Sequence, residues 1–366
     1  MRIFSAVFSV FLLAVLSSTG HAADRDTRIN SLLESAQALV AREALTPPTE
    51  EAALGGILKG YLQSVDAYST YLTPDEVLKM SRVKEEGFVG VGMDVLQDSS
   101  GIIYCLPFPG SPAEKAGIHY GDILLSVDNV LVGAVPFLLL ESLVRGEKGT
   151  EVRLGVTGRD GPRLSTVTRG TVAVPHVASY EDGPFPRVRI YRFTPDTPDF
   201  LREAVTRLGN PEFLVLDLRG NPGGDMDAAL ACASLFLDPE NVLSILVNRK
   251  GEEDVRKSAG KAVFTMPVAL WQDQYTASAA EVFIAALTRN GRSKSLGQSS
   301  FGKGVTQRAV GAGDGGIFIL TTAKLLLPDR GSYHGTGLEP DLVVSKNADP
   351  EFSYFRRTYE AFGLRP

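Results

Sequence analysis

Cysteine, histidine and tryptophan are all scarce in this chain. Its 366 residues include 2 cysteines, 4 histidines and 1 tryptophan. Cys105 and Cys232 lie far apart, each inside an apolar run, and no Cys-x-x-Cys pair occurs. That argues against a thiolate metal site and predicts two buried small hydrophobes. The sequence has no His-Glu-x-x-His, no phosphate-binding Gly-Lys-Ser/Thr loop and no Gly-x-Ser-x-Gly elbow. It also lacks a basic run. With a net charge of −6, it is a poor candidate for nucleic-acid binding. Charge is missing from Ile3 to Leu16, and no later stretch is long and apolar enough to span a bilayer.

That first stretch has the pattern of a secretion leader. Arg2 supplies the positive start, a short apolar segment follows, and small residues end in Gly20-His21-Ala22-Ala23. Residues 1–22 are therefore expected to be a signal peptide, and the protein to be exported to a bacterial periplasm rather than anchored in a membrane.

Beyond the leader, the periodicity divides the chain into three regions. Residues 24–85 form an N-terminal helical region, in which Ile29, Leu32, Leu33, Ala36 and Val40 share one helical face. Residues 86–170 form a separate unit of short strands. It opens Gly87-Phe88-Val89-Gly90-Val91-Gly92-Met93 and contains an apolar helix at 135–144. Residues 171–366 alternate strand and helix, which argues an α/β core. Thr197 is expected to cap a helix over 197–208 and Phe213–Leu218 to be a buried parallel strand. Helices are expected at 226–237 and at Ala279–Arg289, with a β-rich end.

Three segments of the core could carry chemistry. Ser278, in Tyr275-Thr276-Ala277-Ser278-Ala279-Ala280-Glu281, sits where a buried strand gives way to a helix. Free N–H groups and the positive helix end lie there, which suits a nucleophile as well as it suits an ordinary N-cap. Lys303 lies between Gly302 and Gly304. A lysine acts as a base only when neutral, and burial is what lowers its pKa from about 10.4. Gln307, four residues on, can hold the amine without adding charge. Gly223 and Gly224 form a turn at the end of a core strand, where ligands meet open α/β sheets. They offer N–H groups for an oxyanion, or simply make a tight turn.

Three motifs in order — Asp217-Leu218-Arg219-Gly220-Asn221-Pro222-Gly223-Gly224, Ala277-Ser278-Ala279-Ala280-Glu281 and Phe301-Gly302-Lys303-Gly304 — resemble the carboxyl-terminal processing (tail-specific) proteases. Those are Ser-Lys peptidases with an inserted PDZ domain. The resemblance implies a multidomain α/β (α+β) fold with a ClpP/crotonase-like core, a PDZ domain and N-terminal helices. It implies Ser278 as nucleophile, Lys303 as general base 25 residues later, Gln307 as the residue orienting the lysine, and an oxyanion hole from Gly223 (or Gly224) and Ala279. Phe88, Val89, Gly90, Val91 and Gly92 match the loop that receives a substrate's C-terminal carboxylate. No metal or cofactor is implied. The expected partners are proteins with exposed C-terminal tails, an adaptor or activating partner, and a second copy joined through the N-terminal helices. The chain departs from the family pattern at Thr276 and Ala280, which flank the nucleophile, and at Arg289. A non-catalytic or adaptor-dependent peptide-binding protein on the same fold is the competing expectation.

Overall fold

The computed structural model describes residues 27–85, 89–172, 176–181, 183–209, 211–345 and 350–364. The chain divides into two compact units, one up to Ile57 and one from Leu58 onward. Residues 27–43 are helical (α1), and α2 (Glu50–Gln63) follows the Pro47-Pro48 break. Strand β1 (Thr70–Leu72) and helix α3 (Pro74–Glu85) come next.

A small β-rich domain then begins. Its sheet runs β3 (Met93–Gln97), β4 (Ile103–Pro107), β5 (Ile123–Val127), β7 (Glu151–Thr157), β8 (Arg163–Thr168), with β6 (Val130–Leu131) on β5. A second ladder pairs β2 (Val89–Gly90) with β9 (Gly170–Thr171). Helices α4 (Pro112–Lys115) and α5 (Leu140–Val144) complete it. Alternate residues of β7 and β8, including Val152, Leu154, Val156 and Val167, point into a core that also holds Cys105. The helix expected at 135–144 is shorter. Pro136 confines Val135 to extended backbone, a 3-10 turn fills Phe137–Leu139, and α5 starts only at Leu140.

The larger domain is built on a six-stranded sheet of order β10 (Val177–Tyr180), β11 (Arg187–Ile190), β12 (Leu214–Asp217), β15 (Val268–Gln272), β16 (Ser293–Gly297), β19 (Leu342–Val343). Every pairing after β10–β11 is parallel. Helices α6 (Thr197–Arg207), α7 (Met226–Ser234) and α8 (Ala279–Arg289) contribute to the main core. Helix α9 (Pro350–Phe362) adds Tyr354 to a smaller cluster with Trp271. β12 and β15 are buried at every position, as continuous apolar runs between layers should be. The second sheet joins β1, β18 (Ile317–Leu326), β13 (Val242–Asn248) and β14 (Glu253–Lys257), with β17 (Val305–Gly311) also on β18. The architecture is mixed α/β. Cys105 and Cys232 are buried free thiols, and burial pushes the Cys105 thiol up to about 12.

Two local expectations are corrected. Thr197 is not the cap of α6. Asp196 holds that position without a side-chain bond, while Thr197 Oγ1 accepts the Thr194 N–H at 2.8 Å and closes the preceding loop. Helix α7 stops at Ser234 rather than 237, because the Leu235 N–H turns back to the Cys232 carbonyl.

Candidate active site

Strand β15 ends at Gln272, and a five-residue loop leads to Ser278 at the N-cap position of α8. Ser278 has φ 55° and ψ −120°. An L-residue with a side chain rarely adopts this conformation, and surrounding contacts must hold it there. They do so from both sides. The Ala277 N–H donates to the Asn221 carbonyl at 2.9 Å, and Thr276 Oγ1 to the Leu218 carbonyl at 3.0 Å. Asp273 Oδ1 accepts the N–H groups of Gly220 and Tyr275, each at 3.0 Å. The nucleophile loop and the glycine turn are thus laced into one piece.

The turn itself lies against Ser278. A Cβ on Gly223 (φ 101°) would fall 2.8 Å from Ser278 Cβ and 2.9 Å from the Ala279 nitrogen, so only glycine fits. The two expected oxyanion donors of this turn are not equivalent. The Gly223 N–H already donates to Asn221 Oδ1 at 2.9 Å. The N–H groups of Gly224 and Ala279 make no hydrogen bond among the described residues, and both residues line the cavity beside Ser278. Asn221 carried no signal in the sequence beyond its place in the motif.

Lys303 is brought to the same cavity, of about 280 Å³, which is also lined by Gln307, Met226 and Val305. Burial pushes the Lys303 amine below the ordinary lysine value, opposed by the charges of Glu281 and Asp66. Its Nζ lies 4.7 Å above the Tyr68 ring. The flanking glycines let the segment pack closely. A Cβ on Gly302 would meet the Gly337 nitrogen at 2.8 Å, and one on Gly304 would meet His334 at 3.1 Å. Gln307 donates through Nε2 to Thr321 Oγ1 at 3.1 Å, which leaves its amide oxygen as the acceptor end.

Glu281 is the residue the sequence reading undervalued. It is fully buried. Its Oε2 accepts both the Ser278 N–H at 2.8 Å and the Lys303 N–H at 2.9 Å. Its Oε1 accepts the Gly302 N–H at 2.7 Å and the Ser300 hydroxyl at 2.5 Å. One oxygen therefore ties the backbones of Ser278 and Lys303 together. Burial raises the carboxyl to about 7, against the lowering effect of these four donors. The signal available in the sequence was Glu three residues after a Ser at a helix start, the spacing of a capping box.

No histidine lines this cavity among the described residues. His119 Nδ1 lies 3.1 Å from Asp160, His334 Nδ1 accepts the Gly304 N–H, and the His176 ring stacks on Phe200. Nor do the described residues contain a His/Cys/Asp/Glu group that could hold a metal ion. Val89, Gly90, Val91 and Gly92 line a separate small cavity of about 60 Å³ between β2–β3 and α5. Phe88, named with them from the sequence, lies outside the described residues.

The β-rich module with its loop-lined cavity and the serine at a strained strand-to-helix turn of an α/β core fit the fold class of PDZ-bearing serine peptidases. Residues 77–157 match the PDZ domain and residues 187–344 the peptidase family S41. The chain is 32% identical over 306 residues to a probable CtpA-like serine protease of Staphylococcus haemolyticus (strain JCSC1435), covering 82% of this chain and 60% of that one. It is 32% identical over 292 residues to the carboxy-terminal processing protease CtpA of Bacillus subtilis (strain 168), covering 78% and 63%. Among solved structures, a photosystem II D1 C-terminal processing protease superposes with a TM-score of 0.73 at 26% identity, covering 84% of this chain and 85% of that chain. The chain is thus similar to carboxyl-terminal processing proteases, with a PDZ match ahead of a peptidase family S41 match. It spans about 60% of the length of the curated relatives it matches. Among the described residues, no helix is long and apolar enough to cross a membrane.

Proposed function

We propose that the protein is an exported serine endopeptidase that cleaves proteins after its PDZ domain has taken their C-terminal tails. The observation that carries this reading is one cavity lined by Ser278, Lys303, Gln307, Gly224 and Ala279 together. Neutral Lys303 removes the Ser278 hydroxyl proton as Oγ attacks the scissile carbonyl. The developing oxyanion is held by the N–H groups of Ala279 and Gly224, which have no other partner among the described residues. Lys303 then protonates the leaving amine, and water, giving its proton to Lys303, hydrolyses the acyl-enzyme. Gln307, anchored on Thr321, presents its amide oxygen to the lysine.

The test uses an unfolded reporter with a free or an amidated C-terminus, offered to wild type, Ser278→Ala and Lys303→Ala. Ser278→Ala is expected to abolish cleavage, and the free C-terminus to be preferred. Unchanged cleavage by Ser278→Ala overturns the mechanism, and equal cleavage of both reporters overturns tail sensing. One contact favours a second reading, in which an adaptor or a bound tail completes the dyad: Lys303 Nζ rests over the Tyr68 ring. Cleavage by wild type only after a partner or tail peptide is added would select it.

A further inference from the structure

The cavity at the PDZ loop is not lined by the PDZ domain alone. Arg192, three residues beyond β11's Arg189 and part of the peptidase domain, lines it beside Val89–Asp94, Glu141 and Arg145. Its Nη2 lies 3.5 Å from Asp94 Oδ1 on strand β3. This separation is long for a charge-assisted hydrogen bond. The second oxygen, Asp94 Oδ2, is buried with no hydrogen-bond partner. Burial pushes the Asp94 carboxyl up, and Arg192 is the charge that opposes it. Asp94 and Arg192 also line the adjoining cavity of about 230 Å³ between β3 and α5, the strip along which an added peptide strand would run.

The backbone next to Arg192 leads to the catalytic turn. The Phe193 N–H donates to the Gly223 carbonyl at 2.9 Å, and the Phe193 carbonyl accepts the Asp225 N–H at 2.9 Å. Gly224 fits so tightly on this strand end that a Cβ there would fall 2.1 Å from the Phe193 carbonyl oxygen. The residue that reaches into the groove is thus followed directly by the residue that holds both sides of the Gly223–Gly224 turn.

We infer that Arg192 is a tail-carboxylate receptor contributed by the peptidase domain. It is held loosely by Asp94 while the groove is empty and is taken over by the C-terminal carboxylate of a bound polypeptide. The inference rests on the proposed tail-recognition function and deepens it. The substrate class is a polypeptide with a free α-carboxylate, and its binding is read by a side chain one residue before Phe193, whose backbone holds the oxyanion turn. Arg192 acts here as a binding and positioning residue, not a catalytic one.

The test uses the full chain carrying Ser278→Ala, so that peptides bind without being cut. Fluorescently labelled tail peptides, identical except for a free or amidated C-terminus, are titrated by anisotropy. Arg192→Ala is expected to weaken binding of the free form by roughly tenfold or more, as befits a lost charge-assisted bond, and to leave the amidated form unchanged. Arg192→Lys should recover part of the loss. Asp94→Asn should tighten binding of the free form, a gain that misfolding cannot produce. In the cleaving chain, Arg192→Ala should remove the preference for free over amidated reporter. If Arg192→Ala keeps the full free-over-amidated preference, or Asp94→Asn fails to tighten binding, the inference is overturned while tail recognition stands. If the Ser278→Ala parent binds both peptides equally, tail recognition itself has failed.

Discussion

At the scale of single residues, the site is governed by burial and by how few acceptors serve many donors. Glu281 shows both. Replacing it with Gln turns one acceptor oxygen into a donor facing backbone N–H groups. That is expected to cost about 1–3 kcal/mol of stability, measurable by denaturant unfolding. The same variant has a pH signature. A carboxyl raised to about 7 in the fold from an ordinary value of 4.5 binds its proton more tightly when folded. Its contribution is fully present below pH ~4.5 and is lost as pH rises through about 7. Glu281→Gln should remove that slope between roughly pH 4.5 and 7. Lys303 sets the other pH dependence. Since burial lowers its pKa, kcat/KM should rise with pH through a midpoint below the ordinary lysine value of about 10.4. Glu281 opposes that lowering, so the midpoint should fall further in Glu281→Gln. Lys303→Ala should reduce kcat by about 10²- to 10⁴-fold, the usual worth of a general base. An unshifted midpoint in Glu281→Gln would separate Glu281 from the electrostatics of the lysine and leave it a structural part.

At the scale of elements, the decisive piece is the turn between β12 and α7. Gly223→Ala forces a methyl group against Ser278 Cβ, the Ala277 carbonyl oxygen and the Ala279 nitrogen at a positive φ, none of which is the far end of a flexible side chain. Activity should fall below detection in a reporter assay, and thermal unfolding should show a loss of at least about 1–3 kcal/mol. A substitution at Gly101, which has positive φ but open space around it, serves as the comparison for backbone strain alone. Several elements around this turn were legible in the sequence because burial dictated their pattern. α8 is buried at all nine positions from Ala279 to Leu287, and its limits were read correctly. Strand β14 was not foreseen, since Glu253-Asp254-Val255-Arg256-Lys257 is exposed throughout and carries no apolar alternation. It exists because β13 offers it a ladder, and its charges suit an edge. The Thr197 cap failed for a similar reason. The hydroxyl had a local partner in Thr194 that spacing along the chain does not reveal.

At the scale of the whole molecule, the PDZ domain leans on the same loops that hold the proposed catalytic residues. Tyr120 Oη donates to Asp273 Oδ2 at 2.8 Å, and its ring packs edge-on to Tyr275 with centroids 4.9 Å apart. Leu96 and Leu106 of the PDZ sheet form a cluster with Ala277, Tyr275 and Phe301, the neighbours of Ser278 and Lys303. Tyr120→Phe should therefore lower stability by about 1 kcal/mol, the net worth of one hydrogen bond. It should also reduce turnover of a short peptide that does not use the PDZ groove. Turnover equal to wild type would show that the PDZ domain does not support the site.

The sequence by itself determined the family motifs, the order of domains and the placement of a serine at a strand-to-helix junction. Those depend on local pattern and on residue types that few other folds require in that order. Only the tertiary structure decided that the Gly223 N–H is spent on Asn221, that Glu281 binds the backbones of both catalytic candidates, and that Arg192 enters the PDZ groove. Each is a contact between segments far apart in the chain, or a choice between competing hydrogen-bond partners. Spacing along a sequence does not fix such contacts until the sheets have brought the segments together.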